Sequence, residues 1–117
     1  MNKTAPVIHV VDDDEAMRDS MTWLLEGEGY AVATYPSAPA FLAARHDGMR
    51  GCLVLDVRMP DMSGLELQER LDALGSTLPI VFITGHGDVP MAVAALHRGA
   101  CDFVEKPFND ADLLGRI

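Results

Sequence analysis

The sequence predicts an α/β fold, a doubly wound sheet of five parallel strands with helices on both faces. Short apolar runs alternate with segments of helical periodicity five times over. The runs are apolar continuously rather than at every second residue, which marks strands buried on both sides by helices. A length of 117 residues, 49% of them apolar, suits one domain with one core. With no repeat, low-complexity segment or internal linker, residues 1–117 are expected to form that single domain.

Val7 to Val11 is a β-branched run that ends in Asp12-Asp13-Asp14-Glu15. Met17, Met21, Leu24 and Leu25 then recur at helical spacing, with Trp23 on a flank, and Gly27 and Gly29 end the helix. Ala31 to Tyr35 is the second strand. Pro36-Ser37 opens a helix through Phe41, Leu42 and Arg45, with Ser37 as its cap. Gly48 and Gly51 break the chain before a third strand, Cys52 to Leu55. Ser63-Gly64 precedes a helix from Leu65 to Leu74, whose apolar face is Leu67, Leu71 and Leu74. Pro79 to Ile83 is the fourth strand and leads into Thr84-Gly85. Asp88 is expected to cap a helix through Val93, Ala94 and Leu96, with Pro90 in its first turn and Gly99 at its close. Cys101 to Val104 is the fifth strand, and Asn109 to Ile117 begins a fifth helix.

The chain carries 9 basic and 18 acidic residues, a formal net charge of −9. That balance excludes direct gripping of a nucleic-acid backbone by this segment, and fits either simple solubility or acids gathered around a cation. Cys52 and Cys101 show no metal-ligand or redox spacing and read as buried thiols, consistent with a cytoplasmic setting. No signal peptide or membrane-spanning run is visible. His9 reads as a hydrogen-bonded strand histidine, and His46 and His97 as surface residues. Met59, Met62 and Met91 read as adaptable packing, and Pro60 as a stiffener of its loop.

In an open parallel sheet, function gathers beyond the carboxyl ends of the strands, where the strand order reverses. Asp12-Asp13 follow the first strand, Asp56 the third, Thr84 the fourth and Lys106 the fifth. With strand order 2-1-3-4-5, three carboxylates converge at the reversal, with a hydroxyl and an ammonium beside them. Two carboxylates about 4 Å apart repel by roughly 4 kcal/mol at an effective dielectric near 20. Three stay ionised only if something positive joins them. Lys106 is one candidate, and a hard divalent cation such as Mg²⁺ is the other. A phosphoryl group could complete such a site, held by Thr84 and Lys106, with Asp56 as the nucleophile. Taken singly, an Asp at a strand end is as well explained as a turn former or helix cap. It is the convergence of four strand ends that points to chemistry.

The segments VVDDDEAMR, LVLDVRMPDMSG, IVFITGHGD and FVEKPF, in that order, resemble the receiver domain of bacterial two-component response regulators. The resemblance runs from about Val7 onward. TGHGDVPMAV and KPF resemble the FixJ type in particular. The resemblance implies the flavodoxin-like strand order 2-1-3-4-5. It implies Asp56 as phosphoacceptor, and Asp12, Asp13 and Asp56 with the backbone carbonyl of Arg58 as Mg²⁺ ligands, Mn²⁺ substituting. It implies Thr84 as the switch hydroxyl, Phe103 as the switch aromatic and Lys106 as the phosphate-binding lysine. It also implies a cis bond before Pro107, and a part for Arg58 and His86 in tuning dephosphorylation.

The expected partner is a sensor histidine kinase. On phosphorylation, the face of the fourth helix, fifth strand and fifth helix would change, controlling homodimerisation and a C-terminal output domain that binds DNA and is absent from this chain. The fifth helix stops short of the length the family implies. On this reading the domain is a switch and not a turnover enzyme. The rival readings are a phosphatase with an aspartyl-phosphate intermediate and a flavodoxin-like cofactor module. The first typically needs an acid where Arg58 stands. The second needs a loop poor in acids where Asp12 to Glu15 stand.

Overall fold

A computed structural model of the chain describes residues 6–85, 88–100, 102–106 and 109–115. In chain order the elements are β1 (Val7–Val11), α1 (Glu15–Gly27), β2 (Val32–Tyr35), α2 (Ala38–Ala44), β3 (Gly51–Asp56), α3 (Gly64–Ala73), β4 (Ile80–Thr84), α4 (Val89–His97), β5 (Asp102–Glu105) and α5 (Asp110–Leu114). The sheet is parallel throughout, in the order β2-β1-β3-β4-β5. Both the fold class and the strand order are those expected.

Alternation along the strands divides the core in two. Val11, Leu53, Leu55, Ile80 and Phe82 face α2, α3 and α4 and pack with Phe41, Leu67, Leu71 and Ala95. Ile8, Val10, Val54, Val81, Ile83 and Val104 face the other way, onto Met21 and Leu25 of α1 and Leu113 of α5. Each central strand is therefore apolar on both sides, which is why no period-two signal is visible in the sequence.

Caps set most of the helix starts. Asp14 accepts from the Ala16 N–H, Ser37 from Ala40 and Asn109 from Asp112. Ser63 and Glu66 form a reciprocal capping box at α3. Asp88 departs from the expectation: it sits at the N-cap position of α4, but its side chain makes no capping hydrogen bond.

Two further expectations need correction. Gly51 does not break the chain; it is the first residue of β3, paired with Val7 at φ +123°. A Cβ there would lie 1.9 Å from the Val7 carbonyl oxygen, so glycine is what lets β3 lie against β1. Leu74 does not continue the apolar face of α3. It is the C-cap residue and 53% exposed, because the helix ends before its side chain turns back to the sheet. Trp23 is exposed, as its flanking position implied. Met59, Met62 and Met91 pack, half-buried, against the α2–α4 side of the core.

Candidate functional site

The strand register brings the site together. Val11 pairs with Leu55, so Asp12 follows β1 at the level where Asp56 ends β3. Asp56 pairs with Ile83 and Thr84 with Glu105, which puts Thr84 and Lys106 at the same edge of the sheet. The Lys106 N–H donates to the Thr84 carbonyl at 2.7 Å, extending that pairing by one residue.

Carboxylate oxygens of Asp12, Asp13 and Asp56 lie within 4.8 Å of one another. Asp12 and Asp56 are buried and Asp13 is exposed. Asp12 Oδ1 accepts from the Asp14 N–H at 2.9 Å, and the Arg18 guanidinium donates to the Asp12 carbonyl at 2.7 Å. Asp12 Oδ2 is buried and accepts no hydrogen bond. Lys106 Nζ stands 3.9 Å from that oxygen and 3.7 Å from Asp56 Oδ1, within Coulomb reach of both but beyond hydrogen-bond length.

The electrostatics follow from this crowding. Burial, then the Asp12 charge, push Asp56 up from its ordinary 3.8 to about 6, with Lys106 and the Arg58 backbone pulling against them. Asp12 is also raised, first by burial, against the pull of the Asp14 N–H and Lys106. One lysine at nearly 4 Å does not neutralise the group. A buried carboxylate oxygen without a donor, beside two more carboxylates, is what a hard divalent cation requires, so the donor set fits Mg²⁺.

Thr84 is fully buried at the end of β4, and its hydroxyl donates to the Gly85 carbonyl at 3.2 Å. Phe103, half-buried in β5, packs on the α2–α4 side of the core opposite Phe82. The Arg58 side chain reaches away from the acids: its Nε donates to Asp88 Oδ1 at 2.7 Å. His86, Pro107 and Cys101 lie outside the described residues, so the expectations placed on them are neither met nor missed. His9 is buried, and its Nδ1 faces the Tyr35 hydroxyl at 3.1 Å. Cys52 is half-buried with its Sγ near the Leu53 carbonyl, and His46 and His97 are exposed.

Two contributors were not singled out from sequence. Arg18 anchors the Asp12 backbone; it stands within VVDDDEAMR, one turn into α1. Gly64 lets the start of α3 close on β3. A Cβ there would sit 2.3 Å from the Asp56 carbonyl oxygen and 2.9 Å from the Phe82 ring, while its N–H donates to Val57. The signal for it was the glycine eight residues after Asp56.

A parallel 2-1-3-4-5 sheet with a carboxylate cluster at its switch point defines a flavodoxin-like α/β domain with an acidic pocket. The chain belongs to the response regulator receiver domain family, whose model matches residues 8–117. Receiver domains bind Mg²⁺ through an acidic pocket, and the Asp12, Asp13 and Asp56 cluster is a group that could hold a metal ion. The chain is 51% identical over its whole length to the transcriptional regulatory protein FixJ of Azorhizobium caulinodans, covering 55% of that protein. It is 50% identical to the response regulator protein TmoT of Ectopseudomonas mendocina, covering 53% of it. The chain thus spans about half the length of these curated relatives. Among solved structures, the crystal structure of FixJ-N matches with a TM-score of 0.89 at 48% identity, over 99% of this chain and 91% of that one. The response regulator StyR matches at 0.90 and 50% identity, over 96% of this chain and 57% of that one. The chain is therefore a receiver domain of a two-component response regulator, with relatives of the FixJ type among transcriptional regulators. No helix among the described residues is long and apolar enough to cross a membrane.

Proposed function

We propose that residues 1–117 act as one phosphorylation-dependent switch, with Asp56 as the phosphoacceptor. The observation that carries this reading is the crowding of Asp12, Asp13 and Asp56 within 4.8 Å, with Lys106 as the cation beside them. Asp12, Asp13, Asp56 and the Arg58 carbonyl would hold Mg²⁺, or Mn²⁺ in its place. When bound, the ion neutralises the carboxylates and polarises the incoming phosphoryl oxygens.

The donor is the phosphohistidine of a sensor histidine kinase. An Asp56 carboxylate oxygen forms a bond to phosphorus as the phosphorus–nitrogen bond to the donor imidazole breaks. The imidazole keeps the electron pair and takes up a proton. Asp56 must be ionised to attack, and a value of about 6 leaves it mostly so at neutral pH even before any cation binds. Lys106 Nζ and the Thr84 hydroxyl hold the phosphoryl oxygens. Thr84 turns inward to do so, Phe103 follows, and the α4-β5-α5 face is reshaped for homodimerisation and for control of a DNA-binding output domain. Arg58 and His86 tune how long the acyl phosphate lasts. The domain responds once per phosphorylation and is not a turnover enzyme; its setting is the cytoplasm.

The test is incubation with acetyl phosphate and Mg²⁺, read by intact mass and peptide mapping. One phosphoryl group on Asp56, absent in Asp56→Asn, is the expected result. A wild-type protein that gains no mass, or an adduct on another residue, would end this reading.

A further inference from the structure

Asp88 is the exception among the helix starts of this fold. Asp14, Ser37, Ser63 and Asn109 all have extended backbone and accept a hydrogen bond from the first turn of their helix. Asp88 has φ −107° and ψ 8°, and its carboxylate caps nothing. It is instead held by Arg58 Nε at 2.7 Å, across 30 residues of sequence. The pair is asymmetric: the Asp88 side chain is 12% exposed and the Arg58 side chain 71%. Pro90 stands at N2 of α4 and has no N–H, so the Met91 N–H at N3 is the one first-turn donor a capping Asp88 could reach. Arg58 itself lies two residues beyond Asp56.

We infer that Arg58 and Asp88 form a latch that keeps α4 uncapped until Asp56 is phosphorylated. Arg58 is largely exposed, which keeps the worth of the pair modest, and a released Asp88 exchanges that bond for a helix cap, so a modest change can tip the latch. A phosphoryl group on Asp56 adds charge and acceptor oxygens that a guanidinium binds more strongly than a carboxylate on the far loop. Arg58 then turns towards Asp56. Asp88, released, relaxes to extended backbone and accepts from Met91, ordering the first turn of α4. Asp88 is thus a positioning residue that links the acceptor's charge to the start of a helix on the output face. This rests on the function proposed above but adds a second route from Asp56 to α4, separate from Thr84 and Phe103.

The experiment is amide hydrogen exchange at Met91 in the intact chain, with and without acetyl phosphate and Mg²⁺, phosphorylation being followed separately by mass. Two arms need no phosphorylation. Arg58→Ala frees Asp88, and Asp88→Asn offers Arg58 only a neutral acceptor, which weakens the pair, yet remains a good cap; Met91 exchange is expected to slow about five-fold in Arg58→Ala and in the same direction in Asp88→Asn. Phosphorylated wild type is expected to show the same slowing. Asp88→Ala can neither pair nor cap, and should become phosphorylated with Met91 exchange unchanged. If Arg58→Ala and Asp88→Asn both leave Met91 exchange as in wild type, the latch is wrong whether or not Asp56 takes up phosphate. It is equally wrong if Asp88→Ala responds to phosphorylation as wild type does. A wild type that gains no phosphoryl mass counts against the proposed function alone, and the first two arms still judge the latch.

Discussion

Lys106 Nζ lies 3.7 Å from Asp56 Oδ1, close enough to feel its charge and too far to hydrogen-bond it. The lysine therefore moderates the carboxylate without occupying the oxygen that the proposed phosphoryl transfer would use. Lys106→Ala is expected to raise the Asp56 titration above its value of about 6, because the strongest opposing charge is lost. Labelling by acetyl phosphate should slow by about 10²-fold, the order seen when one oxyanion donor is removed. Carboxyl ¹³C shifts and labelling rates check the two halves separately.

The raised Asp56 also sets a pH dependence of stability. Unfolded, the group titrates at its ordinary 3.8; folded, it titrates at about 6. Between those values the folded state holds the proton that the unfolded state has released. Stability from this group therefore falls as pH rises through the window and stays low above it. The full penalty is on the order of 3 kcal/mol. Asp56→Asn should accordingly be more stable than wild type at pH 8, with the gain fading below about pH 4. Urea unfolding across pH reads this directly, and Mg²⁺ should narrow the gap by stabilising only the wild type's full cluster.

His9 works in the opposite direction. Burial lowers it from 6.5, with His46 adding and the Arg50 backbone opposing. The unfolded chain then takes up a proton that the folded state refuses. Stability is complete above 6.5 and lost as pH falls through the lowered value. His9→Gln should remove this acid-side loss; a denaturation midpoint that falls equally in both proteins between pH 7 and 5 would show that His9 does not contribute.

Gly64→Ala should destabilise by about 1–3 kcal/mol, since its Cβ meets backbone rather than a movable side chain. The same clash pushes on the Asp56 carbonyl, so labelling should slow as well. Ser63→Ala, which removes only a cap at the same helix, should cost about 1 kcal/mol and leave labelling unchanged.

The fold was legible where one signal sufficed. β1 ran from Val7 to Val11 as its apolar run did, and Ser37 capped as its type implies. It was less legible where a distant partner decides. Asp88 has the residue type and position of a cap, yet a guanidinium 30 positions away holds it. Gly51 looks like a breaker until β1 is laid against it, and Gly64 like a turn residue until the Asp56 carbonyl is in place. The acidic group of the site could be read because each member closes a strand, and the register turns that into proximity. The direction of the Arg58 side chain could not, since nothing local sets it.

The most direct test of the cation-dependent site is the Asp56 carboxyl titration with and without Mg²⁺, in wild type and in a variant carrying both Asp12→Asn and Asp13→Asn. Saturating Mg²⁺ is expected to lower the wild-type value well below about 6 and to leave the Asp56 value of the double variant where it was. A wild-type titration that Mg²⁺ does not move, or a double variant that responds as strongly, would contradict this expectation.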